Sequence, residues 1–343
     1  MSASALRVLM ITSEWASDPG HTAHFIARQV RFLRAAGVDV DVFAFRGGRR
    51  PLRYLTAWAQ LRRRLAGNGQ RYDLVHAQFG QSGLLALPKR LPLVVTFRGD
   101  DLFGILGKSG RPTPAGRLLQ WLSRRVARRA DAAILVSAHL QQYLSPAVAV
   151  HIVPSGLDLD LFRLIPRDEA RRHVGLSPDA RLVLFVGDPA DPRKRYDLAR
   201  QAVDVLNRTM PADLVIGWRV PHDAMPFYMN ACDALVFTSR EEGSPNAVKE
   251  ALACDLPVVS VAVADVPLRL QGIPGCEVSA DEAPETIAAA LERSLSRNER
   301  SAGRGREAAS QLDERLLTSR VIDIYRSVLA GTTRHQPAVL AHA

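Results

Sequence analysis

Short apolar runs alternate with amphipathic stretches along nearly the whole chain, stop at a proline- and glycine-containing crossover near residue 154, and then start again. That pattern predicts an α/β protein made of two Rossmann-like, doubly wound parallel-sheet domains. At 343 residues the chain also exceeds what one hydrophobic core normally serves.

The first half opens on the strand pattern Arg7–Thr12 and continues through Val38–Phe45, Leu74–Ala77, Leu93–Phe97, Ala132–Val136 and Ala149–Val153. Most of these are short, rich in Val, Ile or Leu, and bounded by Gly, Pro or Asp. Helical spacing of apolar residues fills the gaps, most clearly at His24–Ala36, Leu52–Ala66 and Gly116–Ala130. The segment Pro154-Ser-Gly-Leu-Asp-Leu-Asp-Leu-Phe162 suits a crossover. Strand patterns resume at Leu182–Val186, Asp213–Ile216, Ala234–Phe237, Pro257–Ser260 and Gly275–Val278. Helical patterns follow at Asp197–Asn207, Ala247–Cys254, Pro284–Leu295 and Glu314–Leu329. The expected domains are residues 1–155 and 156–330, with a disordered tail over 331–343. Sheets of this kind bind ligands at the carboxyl ends of their strands, so both domains are expected to present loops to a central cleft.

Apolar residues make up 47% and charged residues 23%, ordinary globular values that exclude a disordered chain. The start, Met1–Thr12, reads as a short tail entering a strand, not as a signal peptide. No uncharged apolar run approaches the ~18 residues of a membrane-spanning helix. A cytoplasmic protein is the expectation, with a peripheral place at the inner face of the plasma membrane as the further option. Cys232, Cys254 and Cys276 show no CxxC spacing, and the first two lie in apolar runs, so buried free thiols are expected.

The densest chemical signal is Phe237-Thr-Ser-Arg-Glu-Glu-Gly-Ser-Pro-Asn-Ala-Val-Lys-Glu250. A strand ends near Phe237 and a helix begins near Pro245. Ser244 is a good N-cap, and Pro245 suits the first helical position. The free N–H groups and dipole of that helix end make an anion site. Glu242 lies before it and Glu250 further along, which suggests a ligand both phosphorylated and polyhydroxylic. The alternative is a plain capped helix after an acidic turn.

This stretch resembles the family 4 glycosyltransferases of the GT-B fold, whose Glu-x7-Glu motif falls on Glu242 and Glu250. Ile152–Phe162 resembles the family's interdomain segment, and Val186-Gly-Asp-Pro-Ala-Asp-Pro-Arg-Lys-Arg-Tyr-Asp-Leu198 its phosphate loop. Pro221–Asp233 and Glu250–Ser260 are similar to members that build bacterial surface polysaccharides. Tyr72–His76 and Arg129–Ser137 match more loosely, and the likeness spans residues 7–329. The resemblance implies retaining transfer of a sugar from a nucleotide diphosphate sugar, of UDP or GDP type, to a glycan or lipid-linked acceptor. It implies no cofactor and no metal. Lys194 would neutralise the departing diphosphate, with Arg193 as a second phosphate candidate. Glu250 would accept hydrogen bonds from the ribose, and Glu242 would sit at the transferred sugar. Gly243, Ser244, Pro245 and Asn246 would hold sugar and phosphate. Developing negative charge on the leaving group is best stabilised by such fixed cations and a helix start.

The chain departs from the family in two places. Asp188 stands where an Arg often follows the loop glycine, and Arg193 or Arg195 is the candidate replacement. Arg98-Gly99 stands where many relatives have His-Gly. Arg98 is therefore a candidate catalytic residue beside Glu242, the alternative being an ion pair with Asp100 or Asp101. Gly20 and His76 are candidates for the acceptor side, His76 having a second reading as a packed core histidine. Asp39-Val-Asp41 and Asp158-Leu-Asp160 match the Asp-x-Asp signature of metal-dependent glycosyltransferases, but one lies in a strand and the other in the crossover.

Charge is uneven. Residues 1–160 hold 22 basic and 10 acidic residues, a net +12 against −2 for the remainder. In Arg117–Arg129, Leu118, Leu122 and Val126 are expected to face the core while Arg117, Trp121, Arg124 and Arg128 form an outer stripe. Tyr54, Leu55, Trp58 and Leu61 lie similarly among arginines in Arg49–Arg64. Such stripes suit an anionic membrane surface, the alternative being ordinary solvated helix. A pI of about 10.1 also raises a nucleic-acid-binding protein as another class. No helix-turn-helix, zinc finger or RNP-like motif accompanies it, so no nucleic acid is expected as a partner. A GT-B-fold sugar-nucleotide epimerase is the remaining alternative.

Overall fold

The computed structural model describes residues 5–15, 24–47, 51–68, 71–105, 107, 111–297 and 300–331. The chain divides into two compact units, one of residues 1–156 with the segment from 314 onward, the other of residues 157–313.

In the first unit the chain runs through β1 (Arg7–Thr12), α1 (His24–Ala35), β2 (Asp39–Ala44), α2 (Pro51–Asn68), β3 (Leu74–Gln78) and α3 (Gly80–Leu85). It continues through β4 (Leu93–Phe97), α4 (Asp100–Phe103), α5 (Pro114–Ala127), β5 (Ala132–Leu135) and β6 (Val150–Ile152). Among the described residues the sheet order is β2-β1-β3-β4-β5-β6, every pair parallel. Both faces are covered. Leu9, Ile11, Val75 and Ala77 pack on one side with Leu61 of α2, and Val8, Met10, Leu74 and Val94 on the other with Ile26 of α1. Burial on both faces explains why these strands read as unbroken apolar runs.

The second unit holds α6 (Arg167–Val174), β7 (Leu182–Val186), α7 (Tyr196–Leu206), β8 (Asp213–Gly217), α8 (Met225–Ala231) and β9 (Ala234–Phe237). After these come α9 (Asn246–Ala253), β10 (Val258–Ser260), α10 (Val266–Leu270), β11 (Glu277–Val278), α11 (Pro284–Leu295) and α12 (Arg304–Ser310). Its sheet, again parallel, has the order β11-β10-β9-β7-β8.

The last helix, α13 (Glu314–Leu329), corrects the expected boundary at 330. It belongs to the first unit, where Leu317, Val321, Ile324, Tyr325 and Val328 join the core beside Val8, Ile26 and Val30. An amphipathic helix at the chain end shows its apolar face in the sequence but not which sheet will cover it. Its first residue is fixed by a buried ion pair, Arg28 Nε to Glu314 Oε2 at 3.0 Å, and Arg28 also donates to the Gly156 carbonyl where the chain leaves the unit. Position 156 has to be glycine, because a Cβ there would lie 2.6 Å from Glu314 Oε2. The tail expectation over 332–343 lies outside the described residues.

The stripe on α5 also needs correction. The helix buries Gly116, Ser123, Val126 and Ala127 and packs on α3, so the small residues select the inward face and Leu118 points out, 57% exposed. Trp121 is 51% exposed with Arg125 over its ring, and Arg124 donates to the Tyr143 carbonyl. On α2, Leu61 is fully buried, whereas Leu52 and Leu55 are exposed and Trp58 Nε1 donates to the Leu87 carbonyl.

Candidate active site

In the second unit the loops leaving β7 and β9 are sewn together by the residues between them. Thr238 Oγ1 donates to the carbonyls of Lys194 and Arg195 at 2.9 and 3.1 Å, and Arg195 Nε returns a bond of 2.6 Å to the Thr238 carbonyl. Arg240 N adds a bond to the Arg193 carbonyl at 2.9 Å. This lock sets Lys194 Nζ 2.6 Å from Glu242 Oε1, with side chains 21% and 11% exposed. The ammonium also stands 5.8 Å from the centre of the Phe237 ring. Gly187, at φ +146°, opens the β7 loop, and a Cβ there would meet Lys194 Cγ at 3.1 Å. A side chain at 187 would therefore displace the lysine.

The rest of the β7 loop accounts for Asp188. Its Oδ1 accepts from Ala190 N at 2.9 Å, and Asp191 Oδ1 accepts from Arg193 N at 2.9 Å, so both aspartates cap turns in the loop. Arg193 lies 3.5 Å from Asp191. Arg195 forms a two-pronged pair with Glu282 at 2.5 and 3.0 Å, and this bond holds the Glu282 carboxyl below its ordinary range. Its charge is thus spent within the fold.

Beyond Glu242, Gly243 is buried, and the helix starts one residue later than expected. The N-cap is Pro245, and Ser244 Oγ instead donates to Asp265 Oδ2 at 3.1 Å. Asp265 is held in turn by Arg269, Nε to Oδ2 2.7 Å. Ser244 is drawn away from the helix start by this acid–base pair, which lies too far along the sequence to be foreseen. Asn246 Oδ1 is buried and has no hydrogen-bond partner among the described residues. Glu250, buried within α9, faces His222 Nε2 at 3.5 Å, and the His222 ring lies edge-on to Phe162. The sequence offered His222 only as part of the Pro221–Asp233 likeness. Nothing in its spacing connects it to Glu250.

In the first unit, the candidates in and after the strands are tied into the fold. Arg98 donates to Gln78 Oε1 at 2.7 and 3.2 Å and to Ser155 Oγ at 2.7 Å, and its guanidinium lies 4.3 Å from the Phe25 ring centre. Burial pushes its pKa down to about 10, so it stays charged at neutral pH. The expected ion pair with Asp101 does not form through the side chain. Asp101 accepts from the backbone N–H groups of Gly80, Arg98 and Gly99, and burial raises its pKa to about 6. His76 is fully buried between Tyr325 Oη at 2.6 Å and Thr96 Oγ1 at 2.7 Å, with its pKa pushed down to about 3 by burial and then by Arg98. It is the packed core histidine, not an acceptor-facing one. Gly20 lies outside the described residues.

The Asp-x-Asp pairs serve the fold. Asp41 bonds Arg64 and Tyr72, and Asp158 Oδ1 accepts from Asp160 N and Leu161 N. Cys232 and Cys254 are buried free thiols, and burial raises each to about 12. Among the described residues no helix is long and apolar enough to cross a membrane.

Comparison with known proteins finds glycosyltransferases in both halves of the chain. Residues 6–161 match the model of Glycosyltransferase Family 4, and residues 175–297 that of Glycosyl transferases group 1. A D-inositol 3-phosphate glycosyltransferase of Catenulispora acidiphila is 28% identical over 314 residues, covering 76% of this chain and 73% of its own. TuaC of Bacillus subtilis, named for teichuronic acid biosynthesis, is 26% identical over 241 residues, 61% of this chain and 60% of that protein. Among solved structures, sucrose-phosphate synthase of Thermosynechococcus elongatus has a TM-score of 0.81 at 17% identity, covering 95% of this chain and all of the other. Anabaena HepE, solved with UDP and glucose, has a TM-score of 0.70 at 15% identity, covering 94% and 100%. With two parallel-sheet Rossmann-like domains and a glycosyltransferase model matched in each half, family 4 in the first, the chain is a glycosyltransferase of the GT-B fold.

Proposed function

We propose that the enzyme transfers a sugar, with retention of anomeric configuration and without a metal, from a UDP- or GDP-type nucleotide sugar to a glycan or lipid-linked acceptor in surface polysaccharide synthesis. The observation that carries this reading is the Lys194–Glu242 contact at 2.6 Å, where the loops after β7 and β9 meet. In the resting site the ammonium is neutralised by a carboxylate. A donor diphosphate takes over that role, and Glu242 is released toward the transferred sugar. As the anomeric bond breaks, charge collects on the leaving phosphate, where Lys194 stabilises it. The phosphate then takes the acceptor hydroxyl proton on the same face. Asn246 Oδ1, buried and unpaired among the described residues, is a ready acceptor for a donor hydroxyl beside the helix start. Glu250, braced by His222, is assigned to the ribose. Arg193 and the Gly243–Asn246 backbone complete the donor side, and Arg98 is assigned to the reacting sugar or acceptor from the first unit.

TuaC, named for teichuronic acid biosynthesis, and HepE, solved with UDP and glucose, support this choice of substrates. The acceptor reading places the enzyme at the cytoplasmic face of an anionic membrane. The exposed Leu52, Leu55, Leu118 and Trp121 among the arginines of α2 and α5, with the +12 of residues 1–160, support it.

The test is a panel of UDP- and GDP-sugars with lipid-linked acceptors in excess EDTA, the product's anomeric configuration being read by NMR. Turnover with the donor's configuration preserved is expected. An inverted product, or turnover that only magnesium or manganese restores, contradicts the reading.

A further inference from the structure

The second unit has a basic pocket on the edge of its sheet opposite the donor loops. Arg181, Asp233 and Pro257 line it, and they immediately precede β7, β9 and β10, so it opens at the amino ends of those strands. Lys194 and Glu242 follow the carboxyl ends. The pocket's volume is about 350 Å³, within the usual range for small-molecule sites.

Five arginines line it, at positions 167, 171, 181, 297 and 300, against two aspartates, Asp179 and Asp233. Asp233 is already committed. It pairs with Arg171 at 2.9 Å and Arg167 at 3.4 Å and accepts from Leu182 N at 2.8 Å. Arg181 and Arg297 are exposed and make no ion pair among the described residues. Arg300 is the telling member. Its terminal nitrogens donate to the carbonyls of Met229 and Asn230, at 2.7 and 3.2 Å, at the end of α8. Its Nε is buried with no hydrogen-bond partner, and no carboxylate lies within ion-pair distance among the described residues. Burial pushes this guanidinium below its ordinary pKa, only partly offset by Asp233 and Asp255, which make no ion pair with it. A desolvated charge with no direct ionic partner is costly, and an anion entering the pocket lowers that cost.

We propose that this pocket is a second ligand site, distinct from the donor site, for a soluble phosphorylated small molecule. Guanidinium forks at 181 and 297 match tetrahedral phosphate oxygens, each offering paired donors, and Arg300 adds its positive charge to the pocket wall. Asp179, on the exposed rim, is an acceptor for a hydroxyl of the same ligand. The site rests on the fold alone and does not depend on which sugar is transferred.

The probe is inorganic pyrophosphate, titrated calorimetrically into the full chain carrying Lys194→Ala, which weakens the donor phosphate site. The same titration is made with Lys194→Ala/Arg181→Gln/Arg297→Gln. Both added positions are exposed and unpaired, so the unliganded melting temperature is expected to be unchanged. One pyrophosphate per chain is expected in the first protein, with affinity falling about tenfold or more in the second. A parallel arm replaces pyrophosphate with phosphatidylglycerol vesicles. Equal affinity in the two proteins, no binding in either, or binding confined to vesicles overturns the proposal.

Discussion

The two units share one architecture and place polar residues at the same kind of position, the carboxyl ends of parallel strands, yet they treat them oppositely. Within β3 and just beyond β4 the fold satisfies nearly everything. His76 is closed between Tyr325 and Thr96, Asp101 takes three backbone N–H groups, and Arg98 is held by Gln78 and Ser155. At the ends of β7 and β9 a lysine and a glutamate face each other, partly open to solvent, and the following helix starts with a buried amide oxygen that has no partner among the described residues. A ligand can replace the carboxylate at Lys194 with little loss, whereas replacing the partners of His76 means unmaking the core. Charge at a strand end is therefore a weak sign of function until its partners are known. An exchangeable pair is a stronger one.

The sharpest way to break this comparison is in the second unit. Lys194→Ala and Glu242→Gln are each expected to lower kcat/KM by about 10²–10³, the usual cost of losing one preorganised charge at a reacting centre. Because the two side chains touch, the double variant should lose far less than the product of the single losses. Fully additive losses in steady-state kinetics would mean that they act separately. Glu250→Gln should mainly raise the donor KM, since a ribose contact made equally in ground and transition states leaves kcat alone.

In the first unit the expected losses are in stability. Tyr325→Phe leaves His76 Nδ1 without its partner and should cost about 1–3 kcal/mol in urea denaturation, with kcat of the folded enzyme unchanged. A lower kcat at unchanged stability would return His76 to the acceptor side.

Acid should expose the same histidine. Its folded pKa of about 3 lies below the ordinary 6.5, so the unfolded chain takes up a proton that the folded chain refuses. Its contribution is complete above pH 6.5 and is lost toward pH 3 at about 1.4 kcal/mol per unit. Asp101, raised from 3.8 to about 6, acts the other way and gains stability as pH falls through that window. The melting temperature of His76→Asn should therefore fall less steeply below pH 6.5 than that of the wild type. Parallel curves would refute the neutral buried imidazole.

The smallest effect is expected at the exposed faces of α2 and α5. Leu118→Ser with Trp121→Ala should change stability by about 0.5 kcal/mol or less, while sedimentation with anionic vesicles at low salt should drop. Sedimentation equal to that of wild type would leave the stripe as ordinary surface.

Much of the fold was legible before any coordinates. Arg7–Thr12, Leu93–Phe97, Leu182–Val186, Ala234–Phe237, Pro284–Leu295 and Glu314–Leu329 have the same bounds in sequence pattern and structure. Parallel strands buried on both faces leave unbroken apolar runs, and long amphipathic helices show several turns of period. The short helices α3, α4, α8 and α10 are too brief to show one. On α5 small residues, Gly116, Ser123 and Ala127, set the inward face in place of leucines, so leucine spacing points to the wrong side. At the site, Lys194, Glu242 and Glu250 were legible through a motif. His222, Thr238 and Asp265 were not, because what they do depends on partners 28, 44 and 21 residues away.

The central claim is that Lys194 and Glu242 exchange each other for a donor diphosphate. Calorimetric titration of UDP and GDP into wild type, Lys194→Ala and Glu242→Gln tests it most directly. For one of the two nucleotides, Lys194→Ala should bind at least about tenfold more weakly than wild type, and Glu242→Gln, with no carboxylate competing for the ammonium, should bind as tightly or more tightly. Unchanged affinity in Lys194→Ala, or a matching loss in Glu242→Gln, would contradict it.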